Sequence, residues 1–78
     1  MSSRDTLEFI VSCLVDYPDD VRVEQEESSR SVVYDLYVHA DDIGKVIGRN
    51  GRTARAIRAV VNAAAVREDR NAIVEIVD

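Results

Sequence analysis

The chain has little of what most catalytic and metal-binding chemistry requires. It contains one cysteine, Cys13, and one histidine, His39. A single cysteine excludes an internal disulfide and fits a reducing compartment. Cys13 lies among apolar neighbours, where a buried thiol acting as a small hydrophobe is expected. His39, at the end of a strand-like run, reads as an ordinary exposed residue. No Cys/His cluster has metal-ligand spacing, and no Ser-His-Asp or Cys-His arrangement is suggested, so neither a metal site nor an enzyme is expected. Asp19-Asp20 and Asp41-Asp42 read as turn and cap residues rather than metal carboxylates.

Other absences are equally informative. There is no tryptophan, and only Phe9, Tyr17, Tyr34 and Tyr37 are aromatic, so the core must be aliphatic. No apolar run approaches the ~18 residues of a membrane-spanning helix. Phe9 to Val15 could imitate a signal core, but Asp5 and Glu8 precede it and no small-residue cleavage site follows. A cytoplasmic protein without cofactor, membrane contact or small-molecule substrate is expected.

What is present fits one small domain over residues 1–78. A composition 46% hydrophobic and 32% charged is globular rather than disordered. A chain this short buries only about 60% of its unfolded surface, so self-association would add stability. The net charge of −5 argues against indiscriminate coating of nucleic acid. A local basic patch still acts over the roughly 8–10 Å that screening allows.

Such a patch exists. All three glycines, Gly44, Gly48 and Gly51, lie in one stretch. Between Ile43 and Arg67 there are six basic residues and no carboxylate. Only Arg4, Arg22, Arg30 and Arg70 remain to balance the fifteen acidic residues elsewhere.

Apolar periodicity supplies the elements. Leu7, Ile10, Val11 and Leu14, widened by Phe9, Cys13 and Val15, predict a helix over Asp5–Asp16, with Ser3 or Asp5 as N-cap. Pro18 ends it. Val21–Glu24 alternates like a half-exposed strand. Ser28-Ser29-Arg30 turns into a second strand over Val32–His39, making an antiparallel hairpin. Asp41 or Asp42 can cap a short helix through Ile47. A second helix over Arg52–Val66 turns Ala54, Ile57, Val61 and Ala64 inward. Ala72–Val77 is a β-branched strand. The order αββααβ predicts an α+β fold, with three helices on one face of a three-stranded and mixed sheet.

Gly48-Arg49-Asn50-Gly51 joins the two helices in four residues. Glycine reaches positive φ freely and lets a ligand backbone approach closely. The following helix turns its unpaired N–H groups and positive dipole end towards the loop. Lys45, Arg49 and Arg52 add full charges, Arg55 and Arg58 follow on the helix, and Ile43, Val46 and Ile47 are apolar neighbours. This suits phosphodiesters crossing the turn beside an aliphatic floor. A phosphate-binding P-loop needs four residues between its glycines, then Lys-Ser/Thr, which Arg52-Thr53 does not supply. A dinucleotide fingerprint would need glycine where Val46 stands. Asn50-Gly51 as a hairpin turn would need alternating flanks, which are absent.

Val46-Ile47-Gly48-Arg49-Asn50-Gly51, followed at helical spacing by Ile57, resembles the core of a KH domain, which carries a Gly-X-X-Gly loop between two helices and binds single-stranded nucleic acid. The order αββααβ resembles the type II, bacterial form. Asp42 to Arg52, together with Val74-Glu75-Ile76-Val77-Asp78, is similar to the small single-domain proteins of the KhpA family, over nearly the whole chain. By position, the resemblance implies a phosphate clamp at Gly48, Arg49, Asn50 and Gly51. It also implies a hydrophobic groove at Ile43, Val46, Ile47 and Ile57, with Lys45, Arg52 and Arg55 beside it. About four nucleotides of RNA would be bound, largely without aromatic stacking. The resemblance further implies a homodimer or a larger KhpB-like partner, and a role as an RNA chaperone linked to cell shape and division. A protein-interaction module with little direct RNA binding is the competing expectation.

Overall fold

The structure, a computed structural model, describes residues 1–78. Helix α1 spans Ser3–Leu14, strands β1 and β2 span Arg22–Glu27 and Ser31–Tyr37, helices α2 and α3 span Ile43–Ile47 and Arg52–Val66, and strand β3 spans Asn71–Ile76. Short 3-10 turns occupy Pro18–Asp20, Ala40–Asp42 and Arg49–Gly51. The architecture is the α+β layer fold expected, with the sheet ordered β1-β2-β3. β1 and β2 are antiparallel, while β2 and β3 are parallel because the chain returns through two helices. The mixed sheet follows from that crossover.

The helices cover one face of the sheet. β2, in the middle, turns Val32, Tyr34 and Leu36 inward, all fully buried. They meet Leu7 and Val11 from α1, Val46 from α2, Ile57 and Val61 from α3, Val23 from β1 and Val74 from β3. Each large aliphatic side chain buried there contributes about 1.5–3 kcal/mol. The inward stripe of α3 is Ala54, Ile57, Val61 and Ala65. Ala65 replaces the expected Ala64, because 3.6-residue pitch carries the stripe from Val61 to the position four residues on.

Several boundaries differ from expectation. Ser2, not Ser3 or Asp5, is the N-cap of α1: its side chain accepts from the Asp5 N–H, and the Asp5 carboxylate accepts from the Ser2 N–H. Ser3 is buried instead, with its hydroxyl 2.5 Å from the Tyr34 hydroxyl and its N–H donating to Glu68 Oε1. β1 runs on to Glu27 because Gln25 and Glu26 pair with Tyr34 and Val33 although neither is apolar. Cys13 is exposed rather than buried. It lies on the same helical ridge as Phe9, which is 62% exposed, on the side of α1 away from Leu7 and Val11. No helix is long and apolar enough to cross a membrane.

Asp42 departs furthest from its expected role. It occupies the N-cap position of α2 but makes no capping bond there. Its side chain is fully buried and accepts from the backbone N–H groups of Asp16 and Tyr17, both at 3.0 Å. The carboxylate thus fastens the end of α1 to the start of α2. His39 does the capping for the neighbouring turn, with Nδ1 accepting from the Asp41 N–H. It is half-buried, stacked on Tyr17 with ring centroids 4.0 Å apart, rather than free in solvent.

Candidate nucleic-acid interface

α2 ends where the Gly48 N–H bonds the Gly44 carbonyl, and the chain then reverses over three residues. Gly48 has φ 74° and ψ 171°, a region essentially restricted to glycine. A side chain there has no room either, since a Cβ would lie 2.2 Å from Thr53 Oγ1 and 2.9 Å from its backbone nitrogen. Asn50 and Gly51 follow in the left-handed region, at φ 57° and 73°. Asparagine is one of the few non-glycine residues that tolerates it. No side chain caps α3, so the positive end of its dipole opens onto this turn.

The five basic residues nearest the turn separate into two groups. Arg49 and Arg52 are exposed, and neither side chain enters any hydrogen bond or ion pair of the chain. The other three are engaged. Lys45 pairs with Asp16 at 2.7 Å and with Asp42 at 3.4 Å. The hydrogen bond to Asp16 holds its ammonium pKa above the usual lysine value, against the opposing effect of partial burial. Burial pushes the Asp42 carboxyl up, but the N–H groups of Asp16 and Tyr17 together with Lys45 outweigh it and leave it below the usual carboxylate range. Arg55 donates from Nη1 to the Asn50 carbonyl at 2.9 Å, and Arg58 donates from Nε to the Val74 carbonyl at 3.1 Å.

The aliphatic residues also divide. Val46 and Ile57 are 0% and 3% exposed: both belong to the core and line no open groove. Ile43 is half-buried, and Ile47, at 36% exposed, is the one of the four that faces out beside the turn. Gly44 has nothing within 4 Å of where a Cβ would stand, so α1 makes no close approach to it.

The open apolar surface lies instead between α3 and the free edge of β3. A cleft of about 400 Å³ is lined by Arg58, Ala59, Asn62, Ala72, Ile73 and Val74. Asn62 accepts from the Ala72 N–H at 3.0 Å, and Arg58 closes on Val74, so α3 side chains clasp the strand edge along the cleft. The helical rise puts Arg58 roughly 10 Å along α3 from Gly51. Asn62 and Ile73 carry no signal in the sequence, since the cleft they line, with its Asn62–Ala72 hydrogen bond, joins a helix to a strand. A larger depression of about 570 Å³, lined by Ser29, Arg30, Val66, Asp69, Arg70 and Asn71, sits at the other end of α3 and is remote from the glycine turn.

An αββααβ chain with its helices on one face of a mixed sheet, and a Gly-X-X-Gly turn between α2 and α3, is a type II KH domain. Residues 4–76 match the family model described as KhpA/KhpB, KH domain. The RNA-binding protein KhpA of Halalkalibacterium halodurans is 50% identical over 75 residues, covering 96% of this chain and 99% of its own. The RNA-binding protein KhpA of Bacillus subtilis is 49% identical over 75 residues, covering 96% and 93%. That of Streptomyces coelicolor is 50% identical over 73 residues, covering 94% and 92%. This chain belongs to the KhpA/KhpB KH-domain family.

Proposed function

We propose that this chain binds single-stranded RNA, with phosphodiesters passing over Gly48, Arg49, Asn50 and Gly51. The observation that carries this is the turn itself: a backbone shape restricted to glycine at Gly48, with two unpaired arginines, Arg49 and Arg52, projecting from it. Nothing in the packing of the fold calls for those two charges. The curated relatives named as RNA-binding proteins support the same ligand. The strand leaves the turn past Ile47 or along the cleft between α3 and β3, where bases meet apolar surface without aromatic stacking. Lys45, tied to two carboxylates, contributes less than Arg49 and Arg52.

One domain contacts few phosphates and binds weakly, so the chain acts as a homodimer or beside a KhpB-like protein, in the manner of an RNA chaperone. A second copy raises the effective concentration of the second site. The exposed Phe9, Val60, Val66 and Ile73 favour association of some kind, and they also support the second reading, a KH scaffold used chiefly to assemble proteins. Replacing Arg49 and Asn50 together with Asp separates the two. The doubly substituted chain, folded by circular dichroism, loses RNA binding and keeps its oligomeric state; unchanged RNA affinity would sink the clamp.

A further inference from the structure

Of the three arginines closest to the turn, Arg49 and Arg52 face solvent, whereas Arg55 reaches back and donates to the Asn50 carbonyl. Helical side chains lean towards the N-terminus of their helix, so a residue in the first turn of α3 is well placed to reach the loop before it. Gly51 borders this contact, and a Cβ there would stand 3.4 Å from Arg55 Nη1, an ordinary van der Waals distance that leaves the bond its room. No carboxylate pairs with Arg55 to draw it away. The carbonyl it grips belongs to Asn50, the only non-glycine residue of the turn at positive φ. An L residue in that region persists only where its surroundings hold it.

We propose that Arg55 is a positioning residue for RNA binding: it fixes the peptide plane after Asn50, and so the turn that presents Arg49 and Asn50, without touching phosphate itself. This rests on the clamp proposed above. The loss of Arg55 leaves the glycines in place but frees Asn50 to leave the left-handed region, so the preorganised surface is lost rather than a contact.

The test is a double-mutant cycle on the full chain, with fluorescein-labelled octauridylate as the probe. Arg55→Met weakens binding by about fivefold, as lost preorganisation does. A direct phosphate contact in single-stranded RNA changes the slope of log affinity against log salt by about 0.7, and that slope stays unchanged here. Glycine adopts the left-handed region without a brace. In the Asn50→Gly background, Arg55→Met therefore costs less than about twofold, the shortfall measuring coupling between the two positions. Equal losses in both backgrounds with a shallower salt slope would make Arg55 a phosphate contact and overturn the proposal. Unchanged affinity in Arg55→Met alone would overturn it too. The RNA-free protein gives a separate readout, because Asn50 Cα and Cβ chemical shifts move away from left-handed values in Arg55→Met. Unchanged shifts defeat the brace whether or not the chain binds RNA. Failure of the clamp itself shows elsewhere, as unchanged RNA affinity on replacing Arg49 and Asn50 with Asp.

Discussion

Three positions in or next to α2 and α3 show how backbone conformation, rather than residue type, decides what a side chain can do. Gly44 and Gly48 are four residues apart yet predict opposite outcomes. Gly44 is helical with open space around it, so Gly44→Ala removes backbone entropy from the unfolded chain and stabilises by about 0.5–1 kcal/mol. Gly48→Ala meets both Thr53 and a forbidden backbone region, and costs about 2 kcal/mol or more. Chemical-denaturation midpoints for the two variants should fall on opposite sides of the parent. The third position is Asp69, at φ 61°. The Arg70 N–H donates to the Ala65 carbonyl and the Asp69 N–H to that of Val66, so Asp69 holds the position of a helix-ending motif usually filled by glycine. Its negative charge also sits at the wrong end of the α3 dipole. Asp69→Gly should stabilise by about 0.5–1 kcal/mol in the same assay.

At the scale of elements, the outer face of the sheet carries a feature that the helix side does not. Register places Glu24 opposite Asp35 and Asp35 opposite Glu75, one carboxylate on each strand in a single row. Like charges directly opposite one another destabilise a sheet. Asp35→Asn should therefore raise stability by about 0.2–1 kcal/mol at low salt, and the gain should shrink at high salt as screening shortens. A gain independent of salt would show that repulsion is not its cause. This row was invisible before the register was known, whereas the elements themselves were largely legible. α3 could be bounded at Arg52 and Val66 because its apolar stripe and the preceding Gly51 are local signals. The glycine turn was legible for the same reason. The buried Asp42 was not, because its partners are the backbone N–H groups of residues 26 and 25 positions earlier, and a backbone amide leaves no mark in a sequence. The pairing of Lys45 was hidden for the same reason, since its nearer carboxylate, Asp16, lies 29 positions earlier. The resemblance puts Val46 and Ile57 in a groove, whereas the inward stripe of α3 already includes Ile57, and the structure buries both side chains at 0% and 3% exposure.

The Asp42 tie carries a pH signature. The folded carboxyl titrates below its unfolded value of about 3.9, so its contribution is present above that pH and lost as pH falls through the folded value. Lys45 is shifted upward. Its contribution is complete below about 10.4 and lost as pH rises through its folded value. Glu68, lowered chiefly by its hydrogen bond from Ser3, shares the acid window. Urea midpoints followed from pH 7 down to pH 2 should fall in the parent, and fall less steeply in Asp42→Asn. Parallel curves would mean that Asp42 contributes nothing to acid unfolding.

For the whole molecule, charge is distributed rather than balanced. The chain is acidic at −5, the acidic row lies on the open face of the sheet, and Arg49 and Arg52 project from the turn between α2 and α3. An RNA strand bound as proposed is thus attracted to the turn and repelled from the sheet. The salt dependence of binding then counts both phosphates and subunits. Two arginine–phosphate contacts on a single strand give a slope of about −1.4 in log affinity against log salt, or roughly sevenfold weaker binding between 50 and 200 mM. An oligonucleotide of about four nucleotides would fill one clamp of the proposed kind and should show that slope whatever the oligomeric state. A strand long enough to engage two copies should double it to about −2.8, and should do so only where the chain self-associates. Fluorescence anisotropy with short and long oligouridylates, at protein concentrations above and below dimerisation, separates these cases. A long strand that retains the shallow slope while the protein is dimeric would mean that the two turns face apart. In that event the second copy serves to stabilise a small fold, not to extend the grip on RNA.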